Sequence, residues 1–181
     1  MTTTAGDVIS AVLADHQEIK SLFAQLTQSG APQADVFERL VRKLAVHETA
    51  EEEIVHPLAR KVPGGDEVVD ARLHEEDEGK RVLAELEKMG VDDPQFPGKL
   101  ASLQQAVLAH AEHEETLEHP LIRKHTDGEV LERAAGRFRT AESMAPTHAH
   151  AAAPESATGN MTVGLFVAVA DKVRDALRKS S

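Results

Sequence analysis

At 181 residues, with 41% hydrophobic residues and a formal net charge of −11, the chain is long enough for one domain with an ordinary core. Its acidity argues against nucleic acid or an anionic membrane as partner. With no cysteine, disulfides, thiolate catalysis, iron–sulfur clusters and cysteine-type zinc sites are excluded, so any metal must be held by nitrogen and oxygen.

Residues 1–7 carry neither a basic segment nor an apolar run, so no secretion signal is expected. No stretch reads as a transmembrane segment, and the chain is expected to be cytoplasmic. A first helix is predicted from Asp7 to Gln28, with a seam of Ile9, Val12, His16, Ile19, Phe23 and Leu26 in which His16 stands where an apolar residue belongs. Ser29-Gly30-Ala31-Pro32 stops it. The second helix, Gln33 to Lys61, is built on Phe37, Leu40, Leu44, Ile54 and Leu58, and its regular steps of three and four are completed only by counting His47 and Glu51. Val62-Pro63-Gly64-Gly65 breaks the chain before a third helix, Asp66 to Met89, whose expected face is Ala71, His74, Glu78, Val82, Leu86 and Met89. After a loop at 91–97, a fourth helix runs from Gly98 to His125, with Leu100, Leu103, Val107, His110, Glu114, Leu117 and Leu121 on its seam.

Residues 1–126 therefore read as an all-α, antiparallel, up-down-up-down four-helix bundle. Extra C-terminal helices follow: 127–144, with Val130, Leu131, Ala134 and Phe138 on its face, and an amphipathic helix at 161–181 beyond a low-complexity linker at 145–160. The last helix is expected to pack on the bundle, and is also the surface offered for a homodimer or a protein partner.

The second and fourth helices carry one motif twice: 47–58 and 110–121 both read H-x-x-x-E-E-x-x-x-H-P-L. Residues four apart share a helix face, so His47/Glu51, His110/Glu114 and, in the third helix, His74/Glu78 each aim an imidazole and a carboxylate in one direction. His16, His47, His74 and His110 stand roughly 9 to 13 residues into their helices, one depth in an antiparallel bundle. A buried ionisable group without a partner costs several kcal/mol, roughly, and a metal ion is the partner such a layer asks for. The expected ligands are His16, His47, Glu51, His74, Glu78, His110 and Glu114, too many for one tetrahedral zinc and suited to two near-octahedral ions with bridging carboxylates. Imidazole with carboxylate suits iron or manganese, and also zinc. His56 and His119 lie nine residues past a seam histidine, about 180° around an ideal helix, and are expected to cap or pack near Pro57 and Pro120 unless a proline bend swings them inward. Glu52, Glu53, Glu112 and Glu115 read as solvated charge, and His113 as exposed.

These residues resemble the hemerythrin family, specifically the bacterial hemerythrin-like HHE cation-binding proteins, over residues 7–125. The resemblance implies two iron ions with an oxo or hydroxo bridge, with zinc and manganese as the lesser readings. It places the first helix's ligand on His16, the second helix's pair on His47 and Glu51, the third helix's first ligand on His74, and the fourth helix's pair on His110 and Glu114, with Glu51 and Glu114 bridging. Oxygen-carrying members differ by His-x-x-x-His in the third helix, where this chain has Glu78, and by an Asp five residues after the fourth-helix His. The added carboxylate argues against reversible oxygen carriage. The implied function is redox chemistry on a small oxidant (peroxide, O2 or NO), catalase- or peroxidase-like and tied to oxidative stress. The alternative is a non-catalytic oxygen, redox or iron sensor signalling through the C-terminal helix.

Overall fold

The computed structural model describes residues 6–28 and 34–144. The expected linker at 145–160, the helix at 161–181 and the break at 29–32 lie outside the described residues. The fold is all-α: an antiparallel, up-down-up-down four-helix bundle followed by an extra helix. Helix α1 is Val8–Gln28. Helix α2 spans 34–59 and has three parts, Ala34–Ala50, a π-helical turn Glu51–Val55, and His56–Ala59. Helix α3 is Gly65–Met89. Helix α4 spans 96–125 and repeats the design of α2, with Phe96–His113, a π-helical turn Glu114–Glu118, and His119–His125. Helix α5 is Gly128–Met144. Among the described residues no helix is long and apolar enough to cross a membrane.

Local chemistry sets the ends. Asp7 accepts from the backbone N–H and the hydroxyl of Ser10, each at 2.8 Å, which caps α1. Arg123 of α4 grips the same carboxylate at 2.6 and 3.2 Å and ties the first helix to the end of the fourth. Gly64 turns the chain with φ +81°, and at Gly65 a Cβ would stand 1.7 Å from the Ala59 carbonyl oxygen. Alanine at 65 is therefore expected to cost about 1–3 kcal/mol, the usual penalty of overpacking, read as a lowered urea midpoint at constant m value.

The two π-helical turns follow from the His-Pro steps. Pro57 and Pro120 have no N–H, and each ring clashes with the carbonyl four residues earlier, which loosens the regular ladder there. The His56 N–H then donates to the Glu51 carbonyl and the His119 N–H to the Glu114 carbonyl, five residues apart instead of four.

The apolar core is divided in two. One cluster holds Val8, Ile9, Val12, Ile54, Val69, Ile122 and, from α5, Leu131, Ala134, Ala135, Phe138 and Ala141. The other holds Ile19, Phe23, Phe37, Leu40, Leu44, Leu83, Leu86, Phe96, Leu100 and Leu103, with Phe37 and Phe96 edge to face at 5.0 Å. His16 falls between the two clusters along α1, as do His47 and Glu51 along α2, Glu76 along α3, and His110 and Glu114 along α4. A layer of buried polar side chains thus crosses the bundle between its two oily halves. Helix α5 covers α1 and α2 through its alanines, whose small size lets the backbones approach closely.

Candidate metal centre

Burying a charge is costly unless it is paired or ligated. The layer nonetheless buries His16, His47, Glu48, Glu51, His110 and Glu114, with Glu76, His56, Glu118 and His119 adjoining. Of the seven residues expected from sequence, it brings together His16, His47, Glu51, His110 and Glu114. Ligand atoms of His16, His47, Glu51 and Glu114 all lie within 4.8 Å of one another, and so do those of Glu48, Glu51 and His110. Glu51 belongs to both groups.

The three histidines share one geometry. Each Nε2 faces a central carboxylate: His16 to Glu114 at 3.1 Å, His47 to Glu51 at 3.2 Å, His110 to Glu114 at 3.3 Å. Each Nδ1 is held by a different, outer carboxylate: His16 by Glu115 at 2.8 Å, His47 by Asp15 at 3.3 Å, His110 by Glu75 at 3.1 Å. An ionised carboxylate only accepts, so it fixes the proton on Nδ1 and leaves the Nε2 lone pair directed inward. This is how proteins orient imidazoles toward a cation. The outer carboxylates are themselves anchored. Lys43 bonds Asp15 at 2.6 Å and Glu142 of α5 at 3.0 Å, and Arg72 bonds Glu75 at 2.8 Å. Burial works against ionising Asp15, but His47 and Lys43 outweigh it and hold the carboxyl down at about 2.

The inner groups are left without hydrogen bonds: both oxygens of Glu51 and of Glu114, Nε2 of His16 and of His110, and Oε2 of Glu48. Buried carboxylate oxygens are rarely left so. Burial, then the charge of Glu114, pushes the Glu51 carboxyl well above its ordinary range, and burial with the charge of Glu76 does the same to Glu48. Without a cation, Glu114 and Glu75 overcome burial and raise the His110 imidazole to about 11, so a metal binding there would displace the Nε2 proton. Such a nitrogen and carboxylate set, converging and unsatisfied, fits divalent or trivalent cations of the imidazole-and-oxygen type.

His74 and Glu78 are not in the layer. Their side chains are 73% and 60% exposed and face one another at 3.6 Å on the outer surface of α3. The expected face of that helix is corrected: its buried residues are Val69, Arg72, Glu76, Leu83 and Leu86. Counting back from Leu86 in steps of four through Val82 leads to Glu78 and His74, whereas the helix turns Leu83 inward and, seven residues before it, Glu76. Alanine at 74 or 78 is therefore expected to leave metal content unchanged, as measured by elemental analysis of the purified variants, and a drop at either would return that residue to the site.

His56 and His119 are also corrected, from capping positions to the interior. The π turn inserts one residue before each and takes back about 100° of rotation, which leaves them about 80° from the seam rather than opposite it. His56 places Nδ1 2.9 Å from Glu118 and Nε2 2.9 Å from Glu76, so one imidazolium bonds carboxylates from α3 and α4. These two partners lift it to about 10 against the effect of burial. Glu76 also meets Lys80 at 3.1 Å, and Lys80 meets Glu52 at 2.8 Å, so Glu52 is engaged and not merely solvated. His119 stacks at 6.1 Å on the ring of His16, and burial pulls it down to about 4, which keeps it neutral. Glu115 likewise serves His16 and Lys20 instead of solvent, while His113 is half-buried, its side chain 46% exposed, and pairs with Glu75. Sequence reasoning missed Glu48, Glu76 and Glu118. The repeated His-Pro step was the one available signal that the helical phase is reset after each motif.

A helical bundle with such a layer defines a cation-binding helical domain. The chain belongs to the family described as the Hemerythrin HHE cation binding domain, which it matches over residues 7–122. It is 29% identical over 178 residues to an uncharacterized hemerythrin-like protein of Schizosaccharomyces pombe, covering 95% of this chain and 87% of that one. A protein of a Nostoc species named a DNA nickase is 30% identical over 131 residues, 71% of this chain but 37% of the relative. The crystal structure of a Hemerythrin HHE cation binding domain-containing protein from Mycobacterium kansasii shares the fold, with a TM-score of 0.68 at 16% identity over 76% of this chain and 85% of the other.

Proposed function

We propose that the layer holds two iron ions and that the protein performs redox chemistry on a small oxidant such as peroxide, O2 or NO. The observation that carries this reading is the three histidines with Nδ1 anchored outward and Nε2 aimed at carboxylates that have no other partner. The first ion would be held by His16, His47, Glu51 and Glu114, and the second by Glu48, Glu51 and His110, with Glu51 common to both. Iron bound there supplies electron exchange with the oxidant. The protein's own part is to keep the donors dry, fix their tautomers through Glu115, Asp15 and Glu75, and keep Glu76 and Glu118 occupied by His56. His74 and Glu78 are left out of the proposed ligand set.

Metal analysis with an absorption spectrum before and after dithionite tests the reading. Two irons per chain, near-ultraviolet bands that bleach on reduction, and turnover of added peroxide are expected; a colourless protein with one zinc or none would overturn it. A non-catalytic sensor is the second reading. It is favoured by Lys43, which joins Glu142 of α5 to Asp15 and so to His47, a direct link between the centre and the helix outside the bundle. Coloured protein that leaves peroxide untouched would select it. The net charge of −11 disfavours carrying the Nostoc relative's nucleic-acid activity to this chain.

A further inference from the structure

A cavity of about 20 Å3 lies between α2, α3 and α4, room for one or two water-sized molecules. Glu48 and His110 are buried at its inner end, Leu83 and Leu103 form its oily wall, and Gly79 and Ala106 stand half-buried at its rim. The charged groups that also line it are engaged: Glu75 with His110, Glu76 with His56, and Lys80 with Glu52. Gly79 lies inside α3, a position where glycine weakens a helix. No packing constraint calls for it, since a Cβ there would meet nothing within 4 Å. What the missing side chain leaves is an open rim above two donors of the proposed second ion. That ion would have the poorer protein donor set, Glu48, Glu51 and His110, and hence room for an outside ligand. A second cavity, between α1, α2 and α4, also reaches Glu48 and His110 beside His16 and His47, but it is only about 10 Å3 and is bordered by no glycine.

Building on the two-iron reading, we infer that small uncharged oxidants enter through the gap at Gly79 and bind on the Glu48–His110 side of the centre. The cavity's volume limits the class to molecules of two to four atoms, and larger organic peroxides are excluded by size.

The test uses the full chain loaded with iron, reduced, and mixed with NO in a stopped-flow instrument. Gly79→Ala, Gly79→Leu and Gly79→Phe are compared, with Ala106→Phe closing the same rim from α4 in case the bulky residue at 79 prevents folding, and His74→Ala as the surface control. NO association is expected to slow progressively with side-chain size, by an order of magnitude or more for phenylalanine, at unchanged iron content and with the control at the wild-type rate. Iron-loaded Gly79→Phe or Ala106→Phe reacting as fast as wild type would overturn the entrance alone. A wild-type chain that takes up no iron would overturn the two-iron reading and the entrance with it.

Discussion

Replacing Glu51 with leucine is expected to raise the stability of the metal-free protein while abolishing metal binding. The two effects have one cause. Glu51 is fully buried, neither of its oxygens accepts a hydrogen bond, and burial together with the charges of Glu114, Glu48, Glu76 and Glu118 opposes its ionisation. Leucine has a similar volume and none of that desolvation cost, so the exchange is expected to gain about 1–3 kcal/mol, the usual cost of a buried polar group left unsatisfied. Glu51 is also the residue common to both candidate donor groups, so its loss removes a donor from each of the two proposed ions. Loaded with metal, the wild type gains stability by mass action and the variant does not. The order of melting temperatures should therefore invert between chelator-treated and metal-loaded samples in a scanning calorimeter. A metal-free variant that melts below the metal-free wild type would show that Glu51 is satisfied without a cation.

The substitution with the opposite sign is His56→Ala. It leaves the Glu118 carboxylate buried without its imidazolium and strips Glu76 of one of its two cationic partners, the other being Lys80. Removing one member of a buried ionic group typically costs about 3–5 kcal/mol. Replacing His56 and Glu118 together by leucine should recover most of the loss, because Glu76 keeps Lys80, and the double-mutant cycle then reports a large coupling. The pH dependence of the gap between wild type and His56→Ala follows from the direction of each shift. His56 is raised to about 10, so its contribution is whole below an ordinary histidine value of about 6.5 and is lost as pH rises through 10. Glu76 is lowered to about 2 by His56 and Lys80, which overcome its burial, so its contribution is whole above about 4.5 and is lost as pH falls toward 2. In metal-free protein the gap is expected to be widest between these limits and to close toward both extremes. A gap independent of pH would mean that His56 acts through packing alone.

The bundle and half of the polar layer were legible in the sequence because both depend on periodicity within single helices. Histidine and glutamate occupying leucine positions in α1, α2 and α4 mark His16, His47, Glu51, His110 and Glu114 without reference to any neighbour, and equal depth along antiparallel helices brings them to one level. Where that logic failed, packing between helices decided. In α3 two faces were nearly equivalent by sequence, and only the contact with α2 and α4 chose Leu83 and Glu76 over Val82, Glu78 and His74. In α2 and α4 an ideal period of 3.6 carried past the His-Pro steps puts His56 and His119 on the wrong side, because the π turns that reset the phase depend on how the loosened backbone is repaired. Glu48 shows the remaining limit: its place one residue off the seam reads as surface until His110 arrives from another helix. The sequence by itself determined the helices, their order and the buried histidines and glutamates standing on regular seams. The tertiary structure decided which face of α3 is inside, which carboxylates orient the histidines, and where a small molecule can enter, since each of these is a relation between side chains on different helices.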